Sequence, residues 1–195
     1  MTHPTSTTTF TVHDETTAPP DSRPMLDGAR ARLGFISTLT GVMAESPELL
    51  EAYNATYNAF MKSSLPRLEK HIVLIAASVE NECAYCVAAH STMAAQAKMA
   101  EDDLAALRSQ EPMSDAPAEA TRTLSTKLVR GRGWLDQRDI DDFLSAGHTQ
   151  RQLLDVILGV AVKMMSNYTN HVAHTPLDPA WSAHAWEPAR RRSEQ

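Results

Sequence analysis

Two cysteines and one histidine are the residues of this sequence best suited to chemistry. They lie in the segment Cys83-Ala84-Tyr85-Cys86-Val87-Ala88-Ala89-His90. On a helix turning 100° per residue, this spacing places Cys83, Cys86 and His90 within about 60° of one another. The two thiols could then form a disulfide, and the imidazole of His90 could accept a proton from Cys86. The spacing predicts an activated thiol with a second thiol that resolves its oxidation product.

Two other interpretations of these residues stay open. Buried cysteines in a core helix often act only as small hydrophobic side chains. Alternatively, Cys83, Cys86 and His90 would supply three ligands to a zinc ion. A structural zinc site needs four ligands, and the sequence has no second Cys-x-x-Cys. We therefore favour redox chemistry and expect no metal and no bound cofactor.

The composition indicates the class of protein. The 195-residue chain is 43% hydrophobic and 22% charged, as in a soluble globular domain. Its net charge of -6 argues against a nucleic-acid partner. No apolar run approaches the ~20 residues of a membrane helix, and the N-terminus lacks a signal-peptide pattern. We expect a cytoplasmic protein with no membrane partner, and in that reducing compartment a lone cysteine pair rarely forms a structural disulfide.

The rest of the sequence predicts helices around the cysteine segment. The chain has only 7 glycines and few alternating runs, which argues against a sheet. Ser46-Pro47 and Ser64-Leu65-Pro66 are helix-start signals, and Thr149 with Gln152 fits a capping box. We predict an all-α helical bundle. Its helices cover 25–32, 35–44, 47–61, 65–79, 83–99, a stretch from 101, 115–130, a stretch after 136 closed at 147, and one from 149 that ends before 175.

The chain divides into three predicted parts. Residues 1–24 are poor in apolar side chains and contain Pro19-Pro20, so we predict a flexible or loosely docked N-terminal arm. Residues 25–181 form one helical domain. Residues 182–195 form a C-terminal tail, in which the basic run Arg190-Arg191-Arg192 is expected to be solvated.

The sequence around the cysteines resembles the carboxymuconolactone decarboxylase and alkylhydroperoxidase D superfamily. The resemblance covers about Met25 to Trp181 and is centred on Leu65–His71 and Asn81–Ser91. Two outer pairs of segments resemble the peroxidase-related branch of this superfamily. They are Gly34-Phe35 with Ala44–Pro47, and Ser166–His171 with Thr175–Asp178. The resemblance implies an alkylhydroperoxidase D-like helical domain that forms homo-oligomers and reduces hydroperoxides through its cysteine pair.

The resemblance also implies a role for each motif residue. Cys86 matches the cysteine that attacks the peroxide, and Cys83 matches the one that resolves the sulfenic acid and exchanges with a dithiol. His90 matches the histidine of the motif. Twelve residues before the first cysteine the branch carries a relay glutamate, where this sequence has His71. We predict that His71 passes protons instead, because an imidazole titrates near pH 6.5.

Other polar residues could support the site. Glu69 and Glu80 are alternative proton relays. A second layer around the cysteines could consist of Asn167, Asn170 and His171. Alternatively, these residues lie at a helix C-terminus and hydrogen-bond its own carbonyls or a partner subunit.

These residues predict a thiol-dependent peroxidase or disulfide oxidoreductase, with peroxiredoxin activity and antioxidant function. Its partners would be a hydroperoxide and a lipoyl- or thioredoxin-type dithiol. The alternatives are a carboxymuconolactone decarboxylase-type lyase, which needs no cysteine pair, and a non-catalytic redox sensor or scaffold. A homo-oligomer is expected because the helix over 65–79 and the Met164-Met165 stripe offer more apolar surface than a small bundle buries.

We expect the two thiols to differ. Cys86 should have the lower pKa, because His90 is one helical turn ahead of it. Cys83, at the start of the helix, should be nearer to solvent and easier for an external dithiol to reach.

Overall fold

The computed structural model of the chain describes residues 10–188. Within that range it contains nine α-helices, two 3₁₀ segments and no strand, which confirms the all-α prediction. None of these helices is long and apolar enough to cross a membrane. The helices are α1 Arg23–Leu33, α2 Thr38–Met43, α3 Pro47–Met61, α4 Arg67–Glu80, α5 Ala84–Gln96, α6 Glu101–Ser109, α7 Ala116–Arg130, α8 Gln137–Ser145 and α9 Gln150–Ala173, and the 3₁₀ segments are Pro20–Ser22 and Pro179–His184.

Local capping signals explain where the main helices begin. The Ser46 side chain accepts a hydrogen bond from the Leu49 N–H, and α3 begins at Pro47 as predicted. The predicted capping box of Thr149 and Gln152 is present at the start of α9. The helix predicted over 35–44 is shorter than expected, since the side chain of Ser37 caps α2 and holds the preceding residues outside it.

Helix α4 lies at the centre of the bundle and contacts α5, α6, α7 and α9. The apolar run from Ile72 to Val79 is buried, as its sequence predicts, and His71 is buried as well. One side of α4 contributes Val73 and Leu74 to a core cluster with residues of α3, α7, α8 and α9. Its other side contributes Ile72 and Ile75 to a cluster with α5, α6 and α7. The cysteine-bearing helix α5 is therefore held against a buried scaffold.

Both ends of the described chain contact the bundle. Residues 1–9 of the predicted arm lie outside the described residues, as does the basic run Arg190-Arg191-Arg192. The His13 N–H donates to the Gly41 carbonyl at 3.1 Å, and the buried Ser22 hydroxyl donates to the Ala44 carbonyl at 2.7 Å. The segment Pro179–His184 packs against α5. The division into arm, domain and tail stays a prediction.

A close approach between helices makes Gly159 of α9 a test of this packing. A Cβ atom at this position would lie 2.6 Å from both Phe60 Cε2 and Val73 Cγ1. We expect Gly159→Ala to lower the free energy of unfolding by about 1–3 kcal/mol, because the added methyl group would overpack the core. The control is Gly28→Ala in α1, where a Cβ meets no atom within 4 Å and should add about 0.8–1 kcal/mol of stability. Urea denaturation measures both, and equal stabilities for the two variants would contradict this packing.

Candidate active site

The Cys-x-x-Cys segment follows a tight turn between α4 and α5. Glu82 has a left-handed φ of 56°, which turns the chain back within a few residues. The Cys83 N–H donates to the Ser78 carbonyl at 2.9 Å, and the Cys83 carbonyl accepts from the Val87 N–H at 3.0 Å. Cys83 is therefore the N-cap of α5, and Cys86 lies in the first turn of that helix.

One polar face of α9 lies against the two thiols. The Nδ2 atom of Asn170 is 3.2 Å from Cys86 Sγ and 3.7 Å from Cys83 Sγ. The hydroxyl oxygen of Ser166 is 3.8 Å from Cys86 Sγ. This face consists of four buried residues at helical spacing, Lys163, Ser166, Asn167 and Asn170.

Asn167 supports the turn and makes no contact with a sulfur. Its Oδ1 accepts from Asn81 Nδ2 at 2.9 Å, and its Nδ2 lies 3.4 Å from the Ser78 hydroxyl. His171, which the sequence grouped with Asn167 and Asn170, is exposed on α9 and lies outside the buried face. Of these three residues, only Asn170 contacts the cysteines directly.

Lys163 is a fully buried lysine next to this pair of thiols. Its ammonium Nζ lies 2.9 Å from Nε2 of His90. An ammonium can only donate, so His90 accepts on Nε2 and carries its own proton on Nδ1. That Nδ1 is buried and has no hydrogen-bond partner among the described residues. Burial, reinforced by the charge of Lys163, holds the pKa of His90 well below its usual range, so the imidazole is neutral.

The two thiols have opposite ionisation tendencies. Burial acts to raise the pKa of Cys86, but the hydrogen bond from Cys83 and the charge of Lys163 outweigh it. The pKa of Cys86 is therefore well below its ordinary range. The hydrogen bond to Cys86, together with burial, raises the pKa of Cys83. The lower pKa lies at Cys86, as predicted, but the charge comes from Lys163, since His90 is neutral.

A cavity of about 240 Å³ opens onto Cys86. Its wall includes His90 and Lys163 but does not include Cys83, whose side chain is only 1% exposed. The expectation that Cys83 would be nearer to solvent is wrong. The turn after α4 and the Asn170 side chain enclose its sulfur, so the route from outside leads to Cys86.

The predicted relay residues occupy different places. His71 is buried on α4, and its electrostatic interaction with His90 contributes to lowering the pKa of His90. Burial, and then the charge of Arg67, lowers the pKa of His71 itself. Its Nδ1 has no hydrogen-bond partner within residues 10–188. The structure therefore brings His71 near His90, while the cavity wall does not include it.

The two glutamates considered as relays are held elsewhere. Glu69 Oε2 lies 2.7 Å from Nε2 of the buried His148 and accepts from the Thr121 hydroxyl at 2.7 Å. Glu80 pairs with Arg130 at 2.9 Å. Neither carboxylate contacts a cysteine. Across the described range, no group of three or more His, Cys, Asp and Glu side chains is arranged to hold a metal ion.

The chain matches a known family over its central part. Residues 47–126, which include the cysteine segment, match the model of the Carboxymuconolactone decarboxylase family. The chain shares its fold with a solved structure of an alkylhydroperoxidase AhpD core. That structure is of an uncharacterized peroxidase-related protein from Ralstonia eutropha JMP134. That structure superposes with a TM-score of 0.81 at 18% identity, over 94% of this chain and 99% of its own. Residues 47–126 of this chain thus match the Carboxymuconolactone decarboxylase family in sequence, and the chain shares the fold of an alkylhydroperoxidase AhpD core.

Two further solved structures share the fold of this chain. An uncharacterized peroxidase-related protein from Silicibacter sp. TM1040 has a TM-score of 0.76 at 22% identity, over 93% of this chain and 97% of its own. A debrominase in complex with 2,3,4-tribromopyrrole has a TM-score of 0.77 at 17% identity, over 91% and 95%. No protein of curated function matches the chain significantly in sequence. At these identities the likeness concerns the fold, and it agrees with the predicted helical architecture.

Lys163 is the site residue that sequence reasoning missed. The residues next to it, from Val160 to Met165, are all apolar. Lysine side chains are almost never fully buried, so a lysine in such a run is normally expected to lie in solvent. The available signal was its spacing. Lys163 precedes Ser166, Asn167 and Asn170 by three, four and seven residues, so all four share one helix face.

Proposed function

We propose that this protein is a thiol-dependent peroxidase that reduces hydroperoxides through Cys86 and Cys83. The observation that carries the proposal is the environment of the Cys86 sulfur. It lies beside the buried ammonium of Lys163 and opens onto a cavity, with the Cys83 thiol on its closed side. A stabilised thiolate with a neighbouring neutral thiol is what peroxide reduction requires.

The first half of the proposed cycle oxidises the cysteine pair. The Cys86 thiolate attacks the terminal oxygen of the hydroperoxide, and the O–O bond breaks. The departing alkoxide takes a proton from Lys163 and leaves as an alcohol, while Cys86 becomes a sulfenic acid. Lys163 then takes the proton of the Cys83 thiol, and the Cys83 sulfur attacks the Cys86 sulfur. Hydroxide leaves, takes that proton and becomes water, and a Cys83–Cys86 disulfide remains.

The second half of the cycle needs a dithiol. Because the cavity reaches the Cys86 sulfur, we propose that a slender dithiol of the lipoyl type enters there, rather than the surface of a thioredoxin-type protein. Thiol–disulfide exchange oxidises the dithiol to its disulfide and returns two protons, one to Cys83 and one to Lys163. One hydroperoxide and one dithiol thus give one alcohol, one water and one disulfide. The supply of such dithiols fits a cytoplasmic location.

We propose that His90 positions the Lys163 ammonium and that His90 and His71 both transfer protons. His90 accepts the hydrogen bond of Lys163 on Nε2 and thereby holds the ammonium beside Cys86. The Nδ1 atoms of both histidines are buried without partners among the described residues. We propose that protons pass between Lys163 and the outside through His90 and then His71.

Peroxide consumption by the pure protein tests this function. The assay supplies tert-butyl hydroperoxide with either dihydrolipoamide or reduced thioredoxin, and we expect sustained turnover with dihydrolipoamide. A single oxidation of the thiols without turnover on either dithiol would indicate a redox sensor instead. Failure of both thiols to react with peroxide would contradict the proposal.

We also propose that the protein is a homo-oligomer that uses the outer face of α9. This face exposes four large apolar side chains, which is more than a helix facing only water normally carries. They are Leu154, Ile157, Tyr168 and Val172. We expect light scattering at micromolar concentration to give at least a dimer, and Val172→Glu to weaken it. A monomeric wild type would contradict this, and Arg138→Glu on the exposed surface of α8 serves as the charge control.

A further inference from the structure

The wall of the Cys86 cavity carries several hydrogen-bond donors that have no partner among residues 10–188. Tyr53 and Tyr57, one turn apart on α3, both line it, and their ring centroids are 6.2 Å apart. Neither hydroxyl donates to or accepts from any residue within 10–188. Burial raises the pKa of both phenols, so each keeps its proton and remains a donor. The indole Nε1 of Trp181, also on the wall, is buried without a partner in the described range.

Positive charge lies at two places on the same wall. Lys163 is at the Cys86 end, and Arg32, the last residue but one of α1, contributes from an exposed position. Arg32 forms no ion pair with any described carboxylate, and its charge acts on both Tyr53 and Tyr57. No aspartate or glutamate belongs to the cavity wall. The chain as a whole carries a net charge of -6, so attraction for an anion can only come from this local arrangement.

The rest of the wall is apolar and fits a carbon body. Leu33, Leu39 and Met93 line it together with the ring of Trp181. The cavity volume of about 240 Å³ equals roughly eight water molecules at ~30 Å³ each. Hydrogen peroxide would occupy only a small part of this space. A small organic molecule with apolar surface and a few acceptors matches both the volume and the lining.

We propose that the substrate of this site is a small organic hydroperoxide that carries a carboxylate. This inference rests on the proposed peroxidase function. The hydroperoxide group lies at Cys86 and Lys163, and the carbon body packs against Met93 and Trp181. The carboxylate lies at Arg32, which binds it with help from the two tyrosine hydroxyls, because charge-assisted donors suit a carboxylate best. Arg32 and the tyrosines are therefore specificity-determining residues.

Alkylation of Cys86 tests the anion site without any peroxidase activity. The reagents are 4-(bromomethyl)benzoate and 4-(bromomethyl)benzamide, which are similar in size and long enough to carry a carboxylate away from the thiolate. Only the benzoate is charged, and the thiolate displaces bromide from both. The ratio of their rate constants at Cys86, divided by the same ratio for free cysteine, is expected to be about 10 in the wild type. Arg32→Gln should lower it about fivefold. Arg30→Gln removes the same charge from α1, where Arg30 pairs with Glu15 outside the cavity, and should leave the ratio unchanged.

A matched pair of substrates completes the test. Cumene hydroperoxide and its para-carboxylate derivative differ only in the charged group. We expect kcat/KM to favour the carboxylate about tenfold, through KM, and Arg32→Gln to remove most of that preference. A ratio that Arg32→Gln leaves at the wild-type value in both assays overturns the inference. If the alkylation ratio behaves as expected but neither hydroperoxide turns over, the anion site stands and the proposed peroxidase function is wrong.

Discussion

Replacing Lys163 with methionine is expected to slow the reaction of Cys86 with peroxide at pH 7 by a factor of about 30 or more. Without the ammonium, burial of Cys86 is no longer outweighed, and its pKa rises to or above the ~8.5 of a free thiol. Only a few per cent of a thiol with that pKa is ionised at pH 7. In the wild type the pKa of Cys86 is well below its ordinary range, so we expect the thiolate to be the main form of Cys86 at pH 7.

The pH dependence of iodoacetamide alkylation at Cys86 measures this effect. The wild-type rate should be flat through neutral pH and fall only in acid, as pH drops through the lowered pKa. The Lys163→Met rate should keep rising from neutral into alkaline pH. Methionine fills a similar volume, and Cys86 can take up a proton once the ammonium is gone, so no unpaired charge has to stay buried. Lys127→Met, which removes an exposed lysine paired with Asp139, is the matched control. An unchanged inflection in Lys163→Met would mean that the Cys83 hydrogen bond alone lowers the pKa.

Substitution of each cysteine is expected to separate attack from resolution. Cys86→Ser should reduce the reaction with peroxide by on the order of 10³-fold or more, since the hydroxyl is not ionised. Cys83→Ser should still form a sulfenic acid at Cys86, because the serine hydroxyl can replace the thiol as the donor to Cys86. It should lose turnover, because no disulfide can form.

A third variant isolates the hydrogen bond between the cysteines. Cys83→Ala removes the donor as well as the resolving sulfur, so the pKa of Cys86 should rise relative to Cys83→Ser. Trapping with dimedone and mass spectrometry locates the sulfenic acid in each variant. If Cys86→Ser forms a sulfenic acid at Cys83 as quickly as the wild type reacts, the roles of the two cysteines are reversed.

Most of the helical architecture could be predicted because its signals are local. Ser46 and Pro47 at the start of α3 act within a few residues of themselves, as does the capping box at Thr149. The apolar run over 72–79 needs to be buried on most sides, and α4 is the central helix. Some helix ends differ from the prediction. The helix predicted over 83–99 ends at Gln96, shortly before a left-handed Lys98 with φ of 70°.

The partners of the candidate relay residues depend on tertiary packing and could not be predicted from the neighbouring sequence. Glu69 and Glu80 are close in sequence to the motif, yet they are occupied by His148 and Arg130, whose positions depend on how α7 and the α8–α9 loop pack. His171 follows Asn170 directly, but successive helical residues point about 100° apart. One of them contacts both sulfurs and the other is exposed.

The sequence by itself determined the chemistry available at this site. It placed Cys83, Cys86 and His90 in one register at the start of one helix, within an all-α chain, because helical spacing is a property of neighbouring residues. Only the tertiary structure decided which thiol is ionised and which can be reached. Lys163, 73 residues beyond His90 in the chain, supplies the charge, and Asn170 closes over Cys83. A thiol pKa depends on charges and donors within a few ångströms, and the packing of α9 against α5 brings them there.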